Sequence, residues 1–300
     1  MQLSSRQLAV LIALTLIWGF NWPIMKAGVT AWPPLTFRAL SMWLGLPVLL
    51  LALRLLRVPL GVPRRQWTEL ARLTVTNMLV WHVFAILAVQ ALSSGRAAIL
   101  GYTMPVFSAL WGRALYGQRL APRQSAGVVA AAVGVALLLW HEFANLAGRP
   151  LGALMMLFAA AVWALGTQQL RHTRMTVSTL AIAFWMTVAT TLVMTVLAVA
   201  IERPQWRAPD ATVWAAVLYN AALVFGYAQP AWFYLARTLP PIASTLSVMF
   251  IPVLGVVAGA LWLGETLHWQ DFAAIALMVV AIASVLWPGR GSPRPAVEIE

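Results

Sequence analysis

The chain is made of apolar runs long enough to cross a bilayer, set apart by short stretches of proline, glycine and charge. Ten such runs can be read, at about 7–28, 34–56, 68–90, 94–117, 124–140, 150–170, 176–200, 211–234, 242–264 and 268–287. A spanning helix needs about 20 predominantly apolar residues, and little chain is left over for anything else. Only 9% of the residues are charged and 62% are apolar, whereas soluble domains carry about 25% charge. A water-compatible surface cannot be built from this composition. The expectation is one all-α integral membrane domain over residues 1–290, followed by a disordered cytoplasmic tail at 291–300. Helices are required because an open strand would leave backbone groups unpaired in hydrocarbon. The alternating ten-residue strands of a β-barrel are absent from the pattern.

A net charge of +12 raises nucleic acid as a partner. The basic residues, however, sit in short clusters between apolar runs and are gathered on no basic helix or aromatic-studded surface. They read as orientation signals. One set of connections holds Arg54, Arg57, Arg64 and Arg65, then Arg113, Arg119 and Arg123, then Arg171 and Arg174, then Arg237. The alternate connections hold Lys26, Arg96, Arg149, Arg203 and Arg207 together with most of the acids. Cytoplasmic loops are the Lys/Arg-rich ones, so the first set and both termini are expected in the cytoplasm of an inner (plasma) membrane protein. There is no cysteine, which removes disulfide and thiolate chemistry.

The opening run, which includes LTLIWGFNWPIMKAG at 14–28, has the length and flanking charge of a signal peptide. No small-residue cleavage site follows Lys26, and a second apolar run begins at once, so it is read as a permanent span.

Shifting the sequence by 147 residues brings two stretches into register without a gap: RAAILGYTMPVFSALWGRALYGQRLAPRQSAG from Arg96 and ASTLSVMFIPVLGVVAGALWLGETLHWQDFAA from Ala243. Pro105 meets Pro252, Gly112 meets Gly259, Gly117 meets Gly264, Leu120 meets Leu267 and Trp140 meets Trp287. AAAVWALG at 159–166 is similar to LTLIWGFN at 14–21 at nearly the same offset. Agreement at proline and glycine argues against chance likeness of two apolar segments. Five spans duplicated reverse direction, so the halves (about 7–140 and 150–287) are expected as two inverted repeats around a central cavity, a recurrent transporter plan.

The amino-terminal IWGFNW, the two helix-proline elements ILGYTMPVFSAL and SVMFIPVLGVVAG, and the Gly-X-X-Leu turns GQRL and GETL together resemble the EamA-type drug/metabolite transporters. GETL after MFIPVLG is the most specific part, and GQRL departs by placing Gln118 where an acid is expected. Within that superfamily the chain is similar to exporters of aromatic amino acids, by overall likeness rather than by a diagnostic motif. The resemblance implies ten helices, a central cavity and alternating access.

Polar or aromatic groups near the bilayer midplane are costly and so rarely idle. Trp18 and Asn21 share a face of the first span, and Trp163 holds the matching place in the sixth, followed by Gln168. The indoles would stack on a flat substrate while Asn21 and Gln168 hold a polar end; equally, these side chains would tie neighbouring helices together. His82 lies mid-span, and the repeat shift sets Gln229 opposite it. Asn220 and Tyr227 fall on one face of the eighth span. Tyr102, one turn before Pro105, offers an aromatic wall. Ser244, with Ser247 one turn on, suits either binding or close packing. Pro105 and Pro252 are expected to kink their helices. Arg38, within a turn or two of a span end, reads as a snorkelling anchor rather than an anion receptor. Tryptophans at 32, 43, 67, 206 and 214 read as belt residues.

All eight acids lie in connections, at helix ends or in the tail. A proton-coupled pump keeps a titrating group inside the membrane, and small multidrug exporters of the same superfamily use a first-helix glutamate where this chain offers Asn21. Facilitated, gradient-driven export of amino acids is therefore expected, with proton-coupled export of other metabolites or drugs as the alternative. An enzyme is disfavoured by the absence of HExxH, GxSxG and phosphate loops, and a channel by the absence of charge rings. No metal or other cofactor is implied. The partners are the bilayer and a small substrate; the pattern accommodates a monomer and fixes no oligomeric state.

Overall fold

A computed structural model of the chain describes residues 5–119, 122–144, 150–229, 231–232 and 241–286. The helices are α1 (Ser5–Ala31), α2 (Pro34–Leu55), α3 (Trp67–Thr74), α4 (Val80–Ala91), α5 (Ser94–Gly101), α6 (Met104–Tyr116), α7 (Pro122–Ala144), α8 (Pro150–Arg171), α9 (Thr179–Leu197), α10 (Ala211–Tyr219), α11 (Pro241–Leu263) and α12 (Trp269–Leu286). Among the described residues there is no strand. Six helical stretches are long and apolar enough to cross a membrane: Leu8–Ala31, Pro34–Leu55, Arg64–Ala91, Pro150–Arg171, Thr179–Gln205 and Ala211–Ala228. Shorter apolar helices lie at Pro122–Leu138, Phe250–Leu263 and Trp269–Ser284. The chain is thus an all-helical membrane protein.

Four runs, the third, fourth, seventh and eighth, are not single α-helices, and the seventh ends in a π turn, Ala198–Glu202. The third contains a π-helical turn, Val75–Leu79, between α3 and α4, and α10 continues as a longer π segment, Asn220–Ala228. Such i→i+5 turns are rare and gather at functional sites. The fourth run breaks at Tyr102–Thr103. Pro105 sits in the first turn of α6, where its missing N–H costs nothing. The expected kink at Pro105 is therefore a break between two helices. Pro252 lies inside an unbroken α11.

The helix ends show how the chain was punctuated. Ser178 and Asp210 cap their own helices, accepting from Ala181 N at 3.2 Å and Val213 N at 2.8 Å. Gly117 and Gly264 take the left-handed conformation, φ +63° and +65°, which a side chain disfavours. Each lets the next amide fold back onto the helix it ends: Gln118 N donates to Gly112 O at 3.1 Å, and Glu265 N to Gly259 O at 3.3 Å. These are the glycines that open the two Gly-X-X-Leu stretches, of which Leu120 lies outside the described residues. α2 begins after Pro33 with no side-chain cap of its own, and the missing acceptor comes from far along the chain. The Glu202 carboxylate accepts from Leu35 N at 2.9 Å, Thr36 N at 2.7 Å and Thr36 Oγ1 at 2.7 Å. Glu265 does the same for α5, accepting from Ser94 N at 2.6 Å, Ser94 Oγ at 2.9 Å and Gly95 N at 3.3 Å.

These contacts sort the connections into two ends. At one, Glu202 meets Leu35, the Trp32 indole donates to Arg207 O at 2.9 Å, Glu265 meets Ser94, and Arg96 pairs with Asp271 at 2.9 Å. At the other, Tyr116 stacks on His172 with centroids 3.8 Å apart, Gln66 donates to Thr176 Oγ1 at 2.9 Å, and Thr173 bonds Glu69. The Gly264 turn belongs to the first end and the Gly117 turn to the second.

Packing pairs α1 with α11, α8 with α4, α5 and α6, α2 with the Asn220–Ala228 π segment, α9 with the Val75–Leu79 π turn, and α7 with α12. The α2 contact is close because glycines interlock. A Cβ on Gly45 would stand 2.7 Å from Phe225 Cβ, and one on Gly226 would stand 2.5 Å from Val48 Cγ1. Apolar attraction between helices is weak in lipid, so small residues that let backbones approach supply the packing.

Candidate functional site

A stripe along α1 organises the interior. Trp18, Asn21, Trp22 and Met25 follow one another at helical spacing. Asn21, Trp22 and Met25 are buried, and Trp18 is half-buried. The Asn21 Oδ1 has no hydrogen-bond partner, although buried polar atoms are nearly always paired.

Around Trp22 an aromatic wall assembles. Trp22 meets Tyr102 edge-on with centroids 6.3 Å apart, and Trp81 meets Trp163 edge-on at 5.4 Å. The tips of Trp22 and Trp81 converge on Gly101, where a Cβ would lie 2.9 Å and 3.3 Å from them. Trp18 turns the other way, against Trp232 at 5.6 Å. The anticipated Trp163 and Tyr102 are thus joined through Trp22 and Trp81. Sequence reasoning missed both, although Trp22 carries the same periodic signal as Asn21 and Trp81 directly precedes His82.

Around Met25 the interior turns polar. The Arg38 guanidinium donates through Nη2 to Met25 Sδ at 2.8 Å and through Nη1 to Asn220 Oδ1 at 3.3 Å, and lies 5.7 Å from the centre of the Phe225 ring. His82 faces the same ring at 5.5 Å, and neither of its ring nitrogens has a partner. Asn220 Nδ2 returns to Ala216 O at 3.0 Å, and Gln229 Nε2 reaches Met78 Sδ at 3.6 Å. His82, Asn220 and Gln229 therefore lie on facing π-disrupted spans, linked by Phe225 and Met78.

Four readings from the sequence change. Arg38 does not snorkel: it is only 4% exposed, enclosed because α1 and the long π segment pack over the start of α2. Tyr227 does not share a face with the wholly buried Asn220 but is exposed, at 36%. Residues seven apart nearly eclipse on an α-helix, whereas each π turn takes an additional residue and swings them to different faces. Gln168 contacts the Gly117 end instead of Asn21: its Nε2 donates to Ser108 O at 2.7 Å and Ser108 Oγ at 2.9 Å, leaving Oε1 unpartnered. Trp32 is buried and bonded to Arg207 rather than set in a belt, while Trp43, Trp67, Trp206 and Trp214 are exposed as expected. Ser244 falls in α11, with its side chain outside the described residues.

One other feature lies apart from these groups. A groove of about 510 Å³ at the Trp32 end is lined by Trp32, Trp43, Trp206 and their neighbours, and contains none of the candidate residues. Among the described residues no cluster of His, Asp and Glu could hold a metal ion.

The interior can therefore offer flat aromatic faces beside hydrogen-bonding atoms that no group among the described residues satisfies. Comparison with known proteins gives the family. The profile of the EamA-like transporter family matches residues 6–140 and again 150–287. The uncharacterized inner membrane transporter YedA of Escherichia coli K12 is 29% identical over 96% of this chain and 94% of its own length. The uncharacterized transporter YoaV of Bacillus subtilis 168 is 26% identical over 85% and 88%. A probable amino-acid metabolite efflux pump of Salmonella typhimurium LT2 is 24% identical over 92% of both. A crystal structure aligns over 94% of this chain and 97% of its own, with TM-score 0.66 and 21% identity, a likeness of fold.

Proposed function

Because this chain belongs to the EamA-like transporter family, we propose that it exports amino acids, aromatic and other bulky neutral ones, across the inner membrane. The observation that carries the substrate class is the wall of Trp163, Trp81, Trp22 and Tyr102 running up to unpartnered polar atoms on Asn21 and His82. Indole faces accept flat apolar bodies, and unsatisfied buried acceptors and donors favour a solute with a polar end. A relative whose name refers to amino-acid metabolite efflux points the same way.

Transport would proceed by alternating access between two inverted five-helix repeats, ten spans in all. The double family match supports this, as do two of the three π segments: Val75–Leu79 shifted by 147 residues falls within Asn220–Ala228. Neighbour relations also survive exchange of the halves, since α1 lies on α11 as α8 lies on α5 and α6. With no cysteine in the native chain, Arg119→Cys and Thr266→Cys, beside the two left-handed glycines, can be labelled directly in oriented vesicles. Labelling from opposite faces, with Arg119→Cys cytoplasmic, is expected; a shared face would end the inverted arrangement.

Export is read as gradient-driven because the described acids engage groups at helix ends and none lies beside His82. Purified protein in sealed liposomes loaded with labelled tryptophan should release it downhill without any ion gradient. Trp163→Ala should slow tryptophan several-fold while sparing alanine, since an aromatic pair contributes about 0.5–1.5 kcal/mol beyond its buried area. Equal rates for all amino acids, unchanged by Trp163→Ala, would remove the aromatic pocket. An absolute need for a pH gradient, lost in His82→Gln, would replace facilitated export with coupled export.

A further inference from the structure

Resting on the export reading above, we infer that Arg38 is the receptor for the substrate's carboxylate, so that the protein selects solutes bearing a free carboxylate beside a flat apolar group. Arg38 is enclosed on all sides, 4% exposed, yet among the described residues no carboxylate lies within ion-pair distance. Each of the five acids whose side chains are described is committed elsewhere: Glu69 to Thr173, Glu202 to Leu35 and Thr36, Asp210 to Val213, Glu265 to Ser94 and Gly95, and Asp271 to Arg96.

A guanidinium stays charged throughout the accessible pH range. An enclosed charge without a counter-ion is expensive, and proteins retain one where function requires it. The groups that Arg38 touches are neutral: an amide oxygen, a thioether and an aromatic face. They hold the side chain in place without neutralising it.

The guanidinium also has capacity to spare. It has five N–H donors. One reaches Asn220, one reaches Met25, and the Nε–H has no partner. A carboxylate taking the Nε side would form the paired, charge-assisted contact for which this group is suited.

Position then sets selectivity. Met25, which Arg38 touches, lies one turn from Trp22 on α1. A carboxylate held at Arg38 directs the rest of the solute toward the Trp22, Trp81 and Trp163 indoles. Loss of the carboxylate should therefore be penalised as strongly as loss of the ring.

The test compares L-tryptophan with L-tryptophanamide, its neutral-carboxamide counterpart, by thermal protection of the purified protein in detergent and by competition for tryptophan efflux from liposomes. Wild type should prefer the free acid by at least about tenfold, the scale of one charge-assisted pair. Arg38→Lys should keep part of that preference, and Arg38→Gln should lose it while still binding both compounds weakly. Equal protection of wild type by acid and amide would overturn the assignment, as would an undiminished acid preference in Arg38→Gln. If Arg38→Gln does not fold, Arg38→Lys decides: a reduced acid preference supports the assignment and an undiminished one overturns it. If wild type responds to neither compound, the amino-acid reading is lost. Indole-3-propionate and benzoate then probe Arg38 separately: protection lost in Arg38→Gln supports the receptor, and no protection of wild type rejects it.

Discussion

Gly45→Leu is expected to reduce transport at least about tenfold while the chain still inserts into the membrane. The first added carbon would stand 2.7 Å from Phe225 Cβ and 3.0 Å from the Ala221 carbonyl. The second of these is backbone and cannot swing aside, so α2 and the π segment must separate. Overpacking of this kind costs about 1–3 kcal/mol, and the damage here falls on one residue. Phe225 is the ring shared by Arg38 and His82; moving it disperses the polar cluster even if the bundle survives. Gly61→Leu is the matched control, because a Cβ there meets nothing within 4 Å. Efflux rate and melting temperature in detergent, read together, separate the effects. Full transport by Gly45→Leu would show that the α2–Phe225 contact is dispensable and would weaken the placement of the site.

Glu202→Ala is expected to destabilise the folded protein by about 2–4 kcal/mol, because it removes charge-assisted bonds and strands the N–H groups that open α2. Three donors converge on this carboxylate, one of them the buried Leu35 N–H. The network extends further, since the Trp206 indole donates to Thr36 Oγ1 at 2.8 Å. Pro33 cannot substitute as a cap. Glu202→Gln keeps one acceptor but turns an amide N–H₂ toward existing donors, so an intermediate loss is expected. Thermal melts of the detergent-solubilised protein, with Glu202→Asp as a length control, measure the series. A change below about 0.5 kcal/mol, the range of an ordinary surface substitution, would mean that water caps α2 just as well.

Some features could be read from residue spacing alone. The α1 face carrying Asn21 is local periodicity, and the helix buries Asn21 with Trp22 and Met25 along one stripe, while the half-buried Trp18 turns to Trp232. Gly117 and Gly264 were legible as turns from the repeated Gly-X-X-Leu pattern, and their left-handed conformation is what makes a side chain unwelcome there. Arg38 was misread because depth along a span says nothing about which neighbours cover it. The pairing of Asn220 with Tyr227 failed for a different reason. It assumed an α-helical period, and nothing in NAALVFGYA announces a π segment. Glu202, read as part of a connection, closes the π turn Ala198–Glu202 near the end of its helical run, and its partners lie more than 160 residues away, so its role as the cap of α2 had no local signal.

The sequence by itself determined the solvent, the class of secondary structure and the positions of the runs and turns. These follow from transfer free energy and backbone sterics, which act on each short segment independently. The tertiary structure decided which side chains share a compartment: the indoles meeting over Gly101, and Arg38 enclosed beside Phe225, Asn220 and Met25. In lipid, helix partners are chosen by close fit between small residues and their opposite faces rather than by hydrophobic patterning. That fit exists only once two distant surfaces are brought together.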